Sequence, residues 1–283
     1  MQLTLIHGIN NVDVPIDYRL VSWRNALVQG GTAAERIDAA APVMPDYARV
    51  LRDARVPQNA ATFQRFGPTT PADHDKLVFM AGATSAMLAH WQSDVQAALA
   101  EIDPVADSDR AARLYGQLVE GGRPRGLIGA VEIFDEIYDY LTKPTLRIAI
   151  DAIVMAALAE TPLIIIGHSL GSVVAWRLLR AMGAAGADLG AVHLATLGAP
   201  FPNPVLKTAL DAPFEWPRGL GSWVNLYHPL DYVSLGAPFR LRGGDRQPNH
   251  HAVITGSPDP HDVRGYLRTA PLRRWLDDHL PGA

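Results

Sequence analysis

The sequence predicts an α/β fold built on a mostly parallel sheet, and three observations predict it. Short apolar runs recur along the 283 residues, separated by helical stretches or long loops, and such alternation favours parallel strands. One run, Leu163-Ile164-Ile165-Ile166, is continuous and rich in β-branched side chains, as a central strand buried on both faces requires. A glycine-rich turn and an apolar-periodic stretch, Ser172 to Met182, follow it directly and read as turn and helix.

The remaining elements fall around that unit. Leu3 to Ile6 is a short buried strand ended by His7-Gly8, and Leu20, Trp23 and Leu27 mark a helix over Tyr18 to Val28. A second short strand is expected at Val43 to Tyr47, with limits blurred by Pro42 and Pro45. From Leu51 to Thr161 the pattern turns helical: Ser85 to Ile102, Ala111 to Val119, Leu127 to Leu141, and Thr145 to Ala159 with Pro144 in its first turn. One crossover helix needs far fewer residues, so 51–161 is expected to be a helix-rich insertion or cap within a single domain. Further strands are expected at Val192 to Leu197, Trp223 to Tyr227 and, weakly, Ala252 to Thr255. Gly183 should lie just beyond the helix that starts at Ser172, and Leu272 to Leu280 should close the chain.

Composition removes several classes of function. With 48% hydrophobic residues the chain can bury a core that needs no staples. The absence of cysteine excludes disulfides, a thiol nucleophile and cysteine-ligated zinc. A net charge of −4 argues against general nucleic-acid binding. Met1 runs straight into a core strand without a basic or apolar leader, and the most apolar stretch, Ile148 to Ala159, is interrupted by Asp151 and too short to span a bilayer. These features predict a soluble, cytoplasmic chain with no transmembrane segment.

The turn after the central run is Gly167-His168-Ser169-Leu170-Gly171, a G-x-S-x-G sequence between strand and helix. Such a turn holds a serine in a strained conformation and presents its hydroxyl at the carboxyl edge of the sheet. A side chain two residues to either side would collide with the adjoining strand or helix, hence the glycines. The following helix aims its first amides at developing negative charge, and Leu170 N–H is the expected oxyanion donor. The plainer alternative is a glycine-rich turn that only packs helix on strand. His168, inside the turn, is expected to be a packing residue.

The sequence resembles the α/β-hydrolase superfamily, and within it small bacterial serine hydrolases related to lipases and esterases. The resemblance lies in Ile6-His7-Gly8, in Ile166 through Ala175, in Thr196-Leu197-Gly198-Ala199-Pro200, in Trp223-Val224-Asn225 with Asp231, and in His261 with Gly265-Tyr266-Leu267. It implies an α/β-hydrolase fold whose sheet starts at the family's third strand and is therefore shortened at one edge. It also implies a second oxyanion donor after the first strand, the backbone N–H of Ile9 or Gly8. Asn10 and Asn11 are more speculative donors.

The remaining roles must follow the serine in the chain order serine, acid, histidine. The acid comes from Asp188, Asp211, Asp231, Asp245 or Asp259, and Asp231, just past the strand Trp223 to Tyr227, is preferred, with Asp245 in reserve. Among His228, His250, His251 and His261, the last follows the final strand and matches the family position, so it is the preferred base. His250 and His251 are expected at a loop–strand junction, and His228 is expected to support the site. The resemblance thus implies a serine hydrolase, carboxylesterase- or lipase-like, acting on a small acyl ester or thioester without cofactor or metal. An acyltransferase on the same residues and a silent binding module are the alternatives. A metal hydrolase has the crowding of His and Asp in the C-terminal third in its favour, but no His-Glu-x-x-His spacing.

Overall fold

Leu163 to His168 is buried at every position and forms the third strand of a six-stranded sheet. The computed structural model describes residues 1–8, 14–54, 75, 76, 78, 79, 82, 83, 86, 125–159, 161–210, 214–242 and 246–282. Within them the strands are β1 (Gln2–Ile6), β2 (Pro42–Val43), β3 (Leu163–His168), β4 (Val192–Leu197), β5 (Ser222–Tyr227) and β6 (Asn249–Ala252). They lie in the order β2-β1-β3-β4-β5-β6, and every neighbouring pair is parallel. The helices are α1 (Ile16–Gln29), α2 (Ala34–Ala39), α3 (Ala48–Ala54), α4 (Arg125–Thr142), α5 (Pro144–Ala156), α6 (Leu170–Ala184), α7 (Pro204–Ala209), α8 (Val263–Leu267) and α9 (Ala270–His279).

The two-residue period of the strands sorts their side chains between two cores. Leu163 and Ile165 face α4, α5 and α6 on one side, with Val192, Leu194 and Trp223. Ile164 and Ile166 face α1, α8 and α9 on the other, with Leu3, Leu5, Ala195, Leu197, Val224 and Leu226. This explains the uninterrupted apolar run of β3: neither face meets water. From β1 the chain moves outward to β2, whereas from β3 it moves the other way to β4. The carboxyl ends of β1 and β3 therefore flank the point where open α/β sheets carry their ligand crevice.

Most boundaries moved by a few residues, and three differences have a structural cause. The last strand is Asn249–Ala252 rather than Ala252 to Thr255, so His250 and His251 lie within it; Ile254, in the expected segment, is 78% exposed. The second strand is confined to Pro42–Val43, because Tyr47 turns into the core next to His7 instead of pairing. Gly183 does not end its helix, which continues to Ala184; a Cβ there would stand 2.5 Å from the Arg218 carbonyl, so glycine lets that loop approach. Of the helix-rich block, α3, α4 and α5 contribute to the core on one face of the sheet. The predicted helix Ala111 to Val119 lies outside the described residues, as does Ser85 to Ile102 apart from Ala86. Among the described residues no helix is long and apolar enough to cross a membrane.

The contact between α6 and β1 yields a stability prediction. A Cβ on Gly171 would lie 2.6 Å from the His7 carbonyl oxygen and nearer still to that of Ile6. Both are backbone groups, Ile6 being the last residue of β1 and His7 the next, and neither can swing aside as a side chain would. Gly171→Ala is therefore expected to destabilise the fold by about 3 kcal/mol, the upper range for overpacking. Thermal unfolding should show a midpoint lowered by roughly 5–10 °C; an unchanged midpoint would mean that α6 does not sit this close to β1.

Candidate active site

Ser169 occupies the single position between β3 and α6, with φ 53° and ψ −124°. A non-glycine residue in this region stores on the order of 1–3 kcal/mol of strain and persists only where its surroundings hold it. Two backbone bonds hold this one: Ser169 N–H donates to Leu197 O at 3.1 Å, and Ser169 O accepts from Ser172 N–H at 3.0 Å. The flanking glycines do what the spacing predicted. A Cβ on Gly167 would lie 2.9 Å from Ser172 N and Gly171 O, and that on Gly171 would strike β1. Leu170 is the first residue of α6, so its N–H has no acceptor within the helix.

Gly8, two residues past the end of β1, lies against this turn. A Cβ on it would come within 2.9 Å of the Ser169 Cβ and 3.1 Å of His168 Nδ1. Side chains fix the backbone here: the Tyr47 hydroxyl donates to His7 O, the Tyr47 ring stacks on the His7 ring at 4.2 Å, and His7 Nδ1 donates to Gly8 O at 2.6 Å. Burial lowers the His7 pKa to about 4, so this imidazole is neutral near pH 7. Ile9, with Asn10 and Asn11, lies outside the described residues.

Asp231 stands in the turn after β5 and is fully buried. Its Oδ1 accepts from Val233 N–H at 2.8 Å, its Oδ2 from the Tyr266 hydroxyl at 2.6 Å, and both oxygens are 3.0 Å from His261 Nδ1. Burial would raise the Asp231 pKa, but His261 and the donors from His261, Tyr266 and Val233 outweigh it and hold the carboxyl below its usual value. The reverse holds for His261, where burial alone would lower the pKa and the Asp231 charge and hydrogen bond bring it above 6.5. The loop that carries His261 is built locally. Asp259 Oδ1 accepts from His261 N–H at 2.9 Å, and Asp262 caps α8 by accepting from Arg264 N–H at 3.0 Å. That helix places Tyr266 against Asp231.

Ser169, Asp231 and His261 each follow the carboxyl end of a strand, β3, β5 and β6 respectively. Gly198, at the end of β4 with φ 52°, lies under the pair; a Cβ there would be 2.7 Å from Asp231 Oδ2 and 3.1 Å from His261 Nδ1. Ser169 Oγ and His261 Nε2 are both buried and have no hydrogen-bond partner among the described residues. Leaving such atoms unpaired costs roughly 1–3 kcal/mol each.

The other candidates are placed elsewhere or otherwise engaged. Asp188 accepts from Gly190 N–H in an exposed turn, and Asp259 holds the His261 backbone. Asp211 and Asp245 lie outside the described residues. His228 Nδ1 accepts from Leu230 N–H at 3.0 Å, and its backbone N–H donates to the Tyr266 hydroxyl, so it does support the Asp231 turn. His250 lies within β6, accepts from Asn225 Nδ2 at 3.2 Å and packs edge-on to Phe239. Among the described residues no three His, Asp or Glu side chains converge where a metal ion could be held. Sequence reasoning gave no role to Gly198, Tyr266 or Tyr47. Gly198 and Tyr266 stood within its quoted motifs, but only their neighbours in space explain them.

Compared with known proteins, the chain matches no family model, no curated protein and no solved structure. The class that fold and site define is therefore an α/β protein with an all-parallel six-stranded sheet among its described residues, carrying a serine and a His–Asp pair at the sheet's carboxyl edge.

Proposed function

We propose that the chain is a serine hydrolase of the α/β-hydrolase type that cleaves a carboxylic ester or thioester through an acyl-enzyme on Ser169. The observation that carries this reading is the state of two atoms. Ser169 Oγ sits on a strained turn and, like His261 Nε2, has no hydrogen-bond partner among the described residues, while the far side of the His261 ring is held by a buried carboxylate. Nucleophile, acid and base occur in that chain order, each beyond the carboxyl end of a strand, as in G-x-S-x-G hydrolases.

In this mechanism His261 Nε2 takes the Ser169 proton as Oγ bonds to the substrate carbonyl carbon. The carbonyl electron pair moves onto oxygen, where Leu170 N–H and the backbone after β1 stabilise it. Asp231 accepts from Nδ1–H, which keeps the lone pair on Nε2 and stabilises the imidazolium. The imidazolium proton then passes to the departing alkoxide or thiolate as its bond to carbon breaks. Water repeats the sequence, bonding to the acyl carbon while Ser169 recovers its proton, and the acid leaves.

A small fluorophosphonate tests the reading directly. Peptide mapping of the reacted protein should place the label on Ser169. The rate should climb with pH and level off above a pKa higher than 6.5, because only neutral His261 can take the proton and Asp231 raises its pKa. A folded protein that neither reacts with the probe nor hydrolyses activated esters at any pH overturns the proposal.

A further inference from the structure

We infer that His168 is a positioning residue: its ring spans from the nucleophile turn to the loop of the base and sets the distance between Ser169 and His261. The inference rests on the serine-hydrolase reading above, and four observations carry it. His168 immediately precedes Ser169, so its backbone moves with the nucleophile. Its Nε2 lies 2.9 Å from the His261 carbonyl oxygen, and the two rings have centroids 4.6 Å apart. At the other ring nitrogen, Gly8 approaches so closely that a Cβ there would stand 3.1 Å from His168 Nδ1. Trp23 and Tyr266 meet the ring at 6.4 and 6.2 Å. The ring is thus wedged between the end of β1 and the His261 loop.

The chemistry of the contact fixes the ring's state. A carbonyl oxygen only accepts, so His168 Nε2 carries the proton and Nδ1 keeps its lone pair. Burial, with a smaller contribution from His261, lowers the His168 pKa to about 3, so the donor is constant over the working pH range. His261 is consequently held at three points: Nδ1 by Asp231, N–H by Asp259 and the carbonyl by His168. Only the last belongs to the segment that carries Ser169. Without it the two reacting groups would be set by separate loops, and a misplacement of about 1 Å costs on the order of 10²-fold in rate.

Two measurements test this. In the first, His168→Phe and His168→Gln are compared with wild type on an activated ester and in fluorophosphonate labelling, with melting curves to verify folding. His168→Phe fills the space without the donor and should lose about 10²-fold in kcat and labelling rate with KM little changed. His168→Gln, whose amide reaches towards the same carbonyl, should recover most of that loss. Equal rates in all three proteins, or equal losses in both variants, overturn the inference. The second needs no variant: nitrogen NMR of the wild type should show His168 as a neutral Nε2–H tautomer throughout pH 5–9. Titration of His168 in that range, or an Nδ1–H tautomer, overturns it as well. A wild type inert to every acyl probe would sink the hydrolase reading, while the NMR result would still report on the His168 contact.

Discussion

Ser169→Ala is expected to lower kcat on an activated ester by on the order of 10⁶-fold while the protein becomes slightly more stable. Both directions follow from the same hydroxyl. Without Oγ no acyl-enzyme can form, and what remains comes from substrate binding and the oxyanion donors. The hydroxyl is also a buried group with no partner among the described residues, so its removal relieves up to about 1–3 kcal/mol of desolvation cost. Alanine keeps the backbone strain at φ 53°, because it too carries a Cβ. A variant with wild-type turnover would remove the nucleophile from Ser169. A variant with a lowered melting temperature would show that the hydroxyl stabilises the turn instead of burdening it. Such a stability–activity trade-off is common at sites whose geometry serves chemistry.

Asp231→Asn is expected to cost about 10⁴-fold in kcat, the scale on which a wrongly protonated imidazole is penalised. The surroundings decide how the amide would sit. Val233 N–H donates at 2.8 Å to the Oδ1 position, so the asparagine oxygen belongs there and its NH₂ takes the Oδ2 position. That NH₂ would donate to His261 Nδ1 and drive the proton to Nε2, the nitrogen that must accept from Ser169. The Tyr266 hydroxyl would lose its acceptor at the same time.

The pH dependence of the same variant gives a second reading. Asp231 is the largest of the carboxylates that raise the His261 pKa against burial, with Asp259 and Asp262 contributing less, so its replacement is expected to lower that pKa. Any residual activity should therefore reach its plateau at lower pH than in wild type. Stability shifts with it. In wild type the raised His261 pKa contributes stability that is fully present below pH 6.5 and is lost as pH rises through the folded value. The depressed Asp231 pKa contributes stability present above 3.8 and lost as pH falls through its folded value. In Asp231→Asn the Asp231 contribution should vanish and that of His261 should shrink, which urea titrations across pH can measure.

How much was legible beforehand depends on how local each feature is. The nucleophile turn was legible because everything that defines it lies within Ile164 to Ser172: an aliphatic strand, two glycines at fixed offsets and the start of a helix. The last strand was not, because Asn249-His250-His251-Ala252 is a half-exposed edge strand without apolar alternation. Its pairing with β5 puts His250 opposite Asn225, and no pattern within the segment announces that register. The short helices α2, α7 and α8 have too few residues for a helical period to emerge.

Asp231 and His261 were favoured over their rivals only by chain order and by resemblance to a family motif. What joins them is the packing of the turn after β5 against the loop after β6, with Gly198 leaving room and Tyr266 reaching back to the carboxylate. His168 shows the limit of local reading most clearly. One residue from the serine, it read as packing, and its hydrogen bond runs to a carbonyl 93 positions further along the chain.

The sequence by itself determined the strands of the sheet's interior, the turn at Ser169 and the exclusion of thiol chemistry, since each depends on residue types and short spacings. Only the tertiary structure decided which carboxylate meets which imidazole and which tautomer each ring must hold. Those choices rest on contacts between segments distant in sequence, and hydrogen bonds and burial act across space, not along the chain.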